Sequence, residues 1–301
     1  MSENLTIINQ EYKEWLATLG FSHSIVYNYN FSVRDFFNWL DTQGVSQINK
    51  LTAKHITTYF NYLQIRPNKR RKGGLSTAHL NKTFDAIDKL MEFMHQIGMH
   101  TAPNPTNYRI EQDKQERVNN IHPFTKEEIK ELQNNISKTY PKYHFEKREK
   151  KQEQLKLIFA LFYGCGIRRT EGMNLEVTDI NFDTKTLFIR QGKNYKDRII
   201  PLSTGVYKVL ENYVYNFRNL QKITHRKLFI HSSCGLTNSL KDLQKITPNK
   251  VIQSKRLTFH ILRHSIATQL LQNGVSIENI AQFLGHSSLE STQIYTHIVN
   301  R

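Results

Sequence analysis

The sequence predicts a mainly α protein in two domains, the second of which carries a small antiparallel β-sheet. Three observations predict it. Apolar residues recur at intervals of three and four through the first hundred positions; a polar, proline-containing stretch breaks that pattern after Gly98; beyond it, one pair of strand-like segments stands among further helical runs. With 301 residues, 38% of them hydrophobic, the chain is long enough to bury two ordinary cores. We place a helical domain at residues 1–105, a linker at 106–122 and a second domain at 123–301.

In the first domain, Val33, Phe36, Phe37 and Leu40 form one face of a helix that ends before Gly44, and LTAKHITTYFNYLQ reads as another with Thr52 as its cap. The segment RPNKRRKGG then concentrates Arg66, Lys69, Arg70, Arg71 and Lys72. This loop suits phosphate groups, and it suits simple solvation equally well. Ser76 is placed to cap a long helix whose Leu80, Phe84, Ile87, Met91 and Met94 share one side until Gly98. These stripes are core. The linker includes APNPTN and EQDKQERVNN, and Thr125 opens the next helix.

The second domain begins with a charge-dense run, KTYPKYHFEKREKKQEQ, that reads either as a mobile loop or as the start of a helix. An apolar run, QLKLIFALFYG, leads into GCGIRRTEG, where Arg168 and Glu171 lie one turn apart. LFIRQGKNYKDRIIPL predicts strands at 187–190 and 198–202 joined by a polar turn that holds Lys193. Finally, TFHILRHSIATQLLQNG and SIENIAQFLGHSSLESTQIYTHI predict three short helices, with Gly274 and Gly285 ending the first two. His260 and Arg263 project from one face of the first, His286 follows the second, and Tyr295 sits on the third.

Forty-two Lys and Arg against 26 acidic residues give a net charge of +16, the footprint of a protein that tracks phosphates. Residues 1–122 hold 14 basic and 11 acidic side chains, the remainder 28 and 15, so most of the excess belongs to the second domain. The N-terminal MSENLTIINQEYKEW has no apolar signal core, and no run of eighteen apolar residues exists, so a cytoplasmic protein with no membrane partner is expected. Two cysteines, Cys165 and Cys234, are too few and too far apart for a metal cluster. His260 and His264 have the spacing of a zinc helix, but Ile261 stands where such a motif needs glutamate. No metal is expected.

The ordered set Arg168, Lys193, His260, Arg263, His286 and Tyr295, with LGH and YTH strings around the last two, resembles the tyrosine recombinases, in particular the Xer-type and phage-integrase members. The resemblance covers residues 123–301. Asn194 stands where a glycine often follows the hairpin lysine, Arg169 where an apolar residue is usual, and Phe259 where a proline is common. The resemblance implies a two-domain clamp, a helical core-binding domain plus a mixed α/β catalytic domain, closed on double-stranded DNA with inverted-repeat half-sites. It also implies a homotetramer of two dimers that exchanges strands through a Holliday junction. The sequence ends six residues after Tyr295, shorter than Xer-type relatives in which a further helix docks on a neighbouring subunit, so attack within or across subunits stays open.

The chemistry expected of these residues is phosphodiester transfer. Arg168 and Arg263 are the candidates to hold the non-bridging oxygens of the transition state, Tyr295 to attack, and His260 to accept its proton. Lys193 is the candidate to protonate the departing 5′ oxygen, and His286 to donate a hydrogen bond to the phosphate. Such transfer needs neither nucleotide nor metal cofactor. A nicking-closing enzyme of the type IB topoisomerase class uses similar groups, and a non-catalytic DNA-binding regulator is the other alternative. The target sequence, and the choice between dimer resolution and integration or excision of a mobile element, are not written in these motifs.

Overall fold

The computed structural model describes the chain except residues 69–71, 112–118, 120, 191–196, 222, 287 and 300–301. Lys193, with the turn that carries it, and Lys69, Arg70 and Arg71 of the basic loop lie outside the described residues; Lys72 is described and exposed. The chain forms two compact units, Met1–Asp113 and Lys114–Arg301. Among the described residues no helix is long and apolar enough to cross a membrane.

The first unit is built from α1 (Glu3–Thr18), α2 (His23–Thr42), α3 (Ala53–Ile65) and α4 (Thr77–Gln96). The apolar stripes meet as expected: Phe36, Phe37, Leu40, Phe84, Ile87, Met91 and Met94 are all fully buried, together with Leu5, Tyr12 and Leu16 of α1. The Tyr12 hydroxyl would be an unsatisfied polar group there, and it donates to the Ala86 carbonyl at 2.9 Å. Ser76 caps α4 by accepting from the His79 amide. Residues 106–110, which the sequence assigns to the linker, lie along α4: the buried Asp88 carboxylate accepts from the amides of Thr106 and Asn107 and from Arg109, and Asn81 exchanges two hydrogen bonds with the backbone of Ile110.

In the second unit Thr125 and Glu128 cap α5 (Lys126–Asn134) reciprocally. The charge-dense run is a turn followed by most of α6 (Phe145–Ile158), which widens into a π-helical turn at Phe159–Gly164. A short helix α7 (Arg169–Asn174) leads to a three-stranded antiparallel sheet of β1 (Ile180–Asn181), β2 (Thr186–Ile189) and β3 (Arg198–Pro201). Leu187 pairs with Ile200 and Ile189 with Arg198; Leu187, Ile189 and Ile200 face inward, while Phe188 and Ile199 are exposed. The strand β1 was not expected. Two residues are too short to show alternation.

Helices α8 (Thr204–Glu211), α9 (Ser233–Ile246) and α10 (Lys250–Ser254) precede the last three, α11 (Phe259–Gln272), α12 (Ile277–Leu284) and α13 (Glu290–Val299). The main core gathers Leu155, residues 157–162, Leu187, Leu240, Phe259 and Leu262. A smaller apolar cluster, Ala267, Ile280, Leu284 and Tyr295, fastens α12 and α13 to α11.

Candidate active site

The π-helical turn delivers the chain to Gly166, whose positive φ of 58° turns it toward α7. A side chain at Gly172 would strike the Phe162 ring, so glycine there lets α7 lie against the core and fixes the position of Arg168 just before it. From this position the Arg168 guanidinium donates to Glu171 Oε1 at 2.7 Å and to the Gly285 carbonyl at 2.6 Å. The i, i+3 pairing noted in the sequence is therefore real, and it is only part of what Arg168 does.

Arg263, only 5% exposed, reaches the same place from α11. It donates to the carbonyls of Gly166 and of Leu284, the latter at 2.8 Å. Two guanidinium groups thus hold consecutive carbonyls, Leu284 and Gly285, where α12 ends in a left-handed glycine with φ of 65°. Burial, then repulsion from Arg168, lowers the Arg263 pKa to about 10, which leaves it charged at neutral pH.

His286 follows directly. Its Nδ1 lies 2.7 Å from Thr292 Oγ1, and its ring is parallel to that of Tyr295, with centroids 6.4 Å apart. Tyr295 is 1% exposed, and its ring also meets His264 at 5.6 Å. Burial pushes the phenol up to about 12, against the pull of Arg263 and Arg168, which favour the phenolate by charge and, for Arg263, by hydrogen bonding. Burial likewise drives His264 down to about 4, with His260 and Arg263 adding to the effect. His264 is therefore a neutral packing ring.

His260 stands on the exposed side of α11, where an open cleft of about 530 Å³ is lined by Arg168, Arg169, Thr170, Met173, Asn174, Ser233 and His260. Although the ring is accessible, partial loss of hydration, followed by the charges of Arg263, Arg169 and Arg168, lowers its pKa below the ordinary value. A neutral imidazole suits a proton acceptor.

Of the six residues singled out in the sequence, Arg168, Arg263, His286 and Tyr295 gather around residues 284–286, and His260 shares the cleft with Arg168. Lys193 is outside the described residues. Sequence reasoning missed Arg198, which grips both oxygens of Glu171 at 3.1 and 2.8 Å. The two arginines outweigh burial and hold the Glu171 carboxyl at about 2. No periodicity marks Arg198, since only the β2–β3 register brings it there. Ser233 and Thr292 were missed as well, because helical periodicity does not mark a residue by its contact with Arg169 or His286.

Known proteins resemble this chain in sequence and in fold. The family model described as the phage integrase family matches residues 122–301. Over its whole length the chain is 29% identical to a tyrosine recombinase, XerA, of Pyrococcus horikoshii, covering 94% of that protein. It is 28% identical over 96% of its length to the tyrosine recombinase XerS of Streptococcus mutans, covering 91% of it. Among solved structures, XerH recombinase bound to its difH substrate aligns with a TM-score of 0.66 at 18% identity, over 90% of this chain and 76% of that one. The Tn1549 transposon integrase in complex with transposon end DNA aligns with a TM-score of 0.65 at 14% identity, over 96% and 94%. These two likenesses concern the fold.

Proposed function

The chain belongs to the phage integrase family and is a tyrosine recombinase of the Xer type; on that premise we propose that it cuts and rejoins double-stranded DNA at specific sites through a covalent 3′-phosphotyrosyl intermediate on Tyr295. The observation that carries this reading is the convergence of two guanidinium groups and one phenol: Arg168 and Arg263 meet at the Leu284 and Gly285 carbonyls, and the Tyr295 ring lies beside them.

In the step we propose, the Tyr295 oxygen bonds to phosphorus while the bond from phosphorus to the 5′ oxygen breaks. The phenolic proton passes to His260. Lys193, assigned by the sequence pattern, protonates the departing 5′ oxygen, which leaves as a hydroxyl. Arg168 and Arg263 pair with the non-bridging oxygens through forked, charge-assisted hydrogen bonds, and His286 donates a further one. One phosphodiester is exchanged for one phosphotyrosine, so the energy for rejoining is retained when the 5′ hydroxyl of another strand attacks. This route needs no nucleotide or metal: the arginines supply the positive charge that metal ions bring to other phosphoryl transfers.

A basic surface fits the DNA, with a net charge of +16 across the chain. We extend the reading to inverted half-sites bound by two dimers in a tetramer, with strands exchanged in pairs through a Holliday junction. To test the chemistry, a duplex is first enriched from a random library by binding to the protein, and a nick is then placed across from each position in turn to trap the intermediate. Wild type should give a protein–DNA band that resists denaturant, and Tyr295→Phe none. An adduct that survives in Tyr295→Phe, or maps to another tyrosine, overturns the assignment.

A further inference from the structure

Three arginines line or adjoin the cleft, and they are held differently. Arg168 is engaged by Glu171 and the Gly285 carbonyl, and Arg263 by two carbonyls in the interior. Arg169, the first residue of α7, is exposed, and its Nε donates to Ser233 Oγ, on the first residue of α9, at 2.7 Å. Among the described residues no carboxylate or carbonyl takes the two terminal nitrogens of its guanidinium.

We propose that Arg169, braced by Ser233, seats a second, non-reacting phosphate of the bound DNA strand beside the one that is cleaved. The inference rests on the recombinase reading. A guanidinium tied along one edge still presents its terminal nitrogens as a planar pair, the geometry that matches two phosphate oxygens. The tie also fixes the side chain beforehand, so less rotamer freedom is lost when the anion arrives. Among the described residues no acidic side chain lines the cleft beside Arg169. Arg169 lines the same cleft as Arg168 and His260 and is exposed, so its fork faces solvent beside the proposed reacting groups. Lysine at this position would keep the charge and lose the fork.

The test uses the full chain and the enriched duplex described above, with neutral methylphosphonates substituted one at a time at the phosphates that flank the cleaved position. Wild type should lose about tenfold in affinity when the contacted phosphate is neutralised, the effect of one charged hydrogen-bonded contact. Arg169→Leu should bind the unmodified duplex about tenfold more weakly, should lower the slope of log affinity against log salt by about one, and should be indifferent to the methylphosphonate at that position. Ser233→Ala keeps the charge and frees the fork, so its methylphosphonate penalty should shrink; it carries the test even where Arg169→Leu fails to fold. If both variants pay the wild-type penalty at every flanking position, the seat does not exist. Formation of the covalent adduct by wild type is scored in the same samples: its absence counts against the recombinase reading, whereas a normal adduct with no coupling removes only the proposed seat.

Discussion

Arg198 donates from both terminal nitrogens to the two oxygens of Glu171, so that one buried carboxylate holds Arg198 and Arg168 together. This pairing braces Arg168, one of the two arginines proposed to hold the phosphate. A depression of the Glu171 pKa from 4.5 to about 2 corresponds to a contribution on the order of 3 kcal/mol. Because the folded-state value is the lower one, the contribution is complete above the unfolded value near 4.5, shrinks as the pH falls and is gone below about 2. Glu171→Gln should therefore lower the unfolding free energy by about 3 kcal/mol at neutral pH. The difference from wild type should close on acidification, as followed by denaturant titration. A difference that stays constant with pH would show that the carboxylate charge is not what holds the arginines.

Gly285→Ala tests the same assembly from the other side. The residue has a φ of 65°, and a Cβ there would lie 2.8 Å from the Arg198 guanidinium. Left-handed backbone costs an alanine about 1 kcal/mol by itself, and displacement of Arg198 adds the loss of its bonds to Glu171. The expected outcome is a clear fall in melting temperature together with loss of cleavage. A variant that melts and cleaves like wild type would mean that Arg198 moves aside at no cost.

Replacement of Arg168 or Arg263 separates chemistry from binding. On the proposed mechanism many other cations hold the DNA backbone and these two face the reacting phosphate, so either alanine variant should bind DNA with little loss and cleave it at least about 10²–10³-fold more slowly. Arg263→Ala also strips the donors from the buried Gly166 and Leu284 carbonyls, at about 1–3 kcal/mol for each. Melting curves are needed beside the kinetics for that variant. Near-normal cleavage by a folded variant would remove its arginine from the site.

How far the sequence could be read follows from which contacts are local. Ser76 and Thr125 cap helices as their neighbours require, because a cap is settled within three residues. The roles of Arg168, Arg263, His286 and Tyr295 came from a resemblance in motif order, and only the fold brings them around residues 284–286. Glu171 was visible as a helical partner of Arg168, but its second partner is fixed by strand register. Residues 106–110 read as linker because their composition is polar; what pins them is Asp88, eighteen or more residues earlier. Tyr295 looked like an available nucleophile, whereas its burial depends on how α13 packs.

Cleavage should respond to pH through His260. An acceptor must be unprotonated, and loss of hydration with the nearby Arg263, Arg169 and Arg168 keeps the folded pKa below 6.5. The rate of covalent-adduct formation should accordingly decline on acidification with its midpoint below 6.5. Arg169→Leu takes away one of those cations and should move the decline toward higher pH. A decline centred at 6.5 in wild type, unmoved in Arg169→Leu, would exclude His260 as the acceptor.

The last prediction concerns access to the nucleophile. At 1% exposure the Tyr295 phenol is out of reach of a DNA phosphate, so α13 must lift before the oxygen can attack. What resists lifting includes the apolar cluster of Ala267, Ile280, Leu284 and Tyr295, with Leu270, Leu271, Ile294 and Ile298 packed on it, and the clip between Thr292 and His286; the cluster is far smaller than the main core. Elements held by few buried contacts open at lower free energy than those in the main core. Amides of α13 should then exchange with solvent deuterium much faster than those around Phe259 and Leu262 in α11. Thr292→Val keeps the shape and removes the hydroxyl, leaving His286 without this partner at a cost of about 1 kcal/mol, so exchange in α13 should rise several-fold while α11 stays unchanged. Cleavage of the nicked duplex should rise with it wherever opening limits the rate. If α13 instead exchanges as slowly as α11, both free and on DNA, opening of this helix is not the route to the phenol, and the covalent step must begin from a different arrangement of Tyr295.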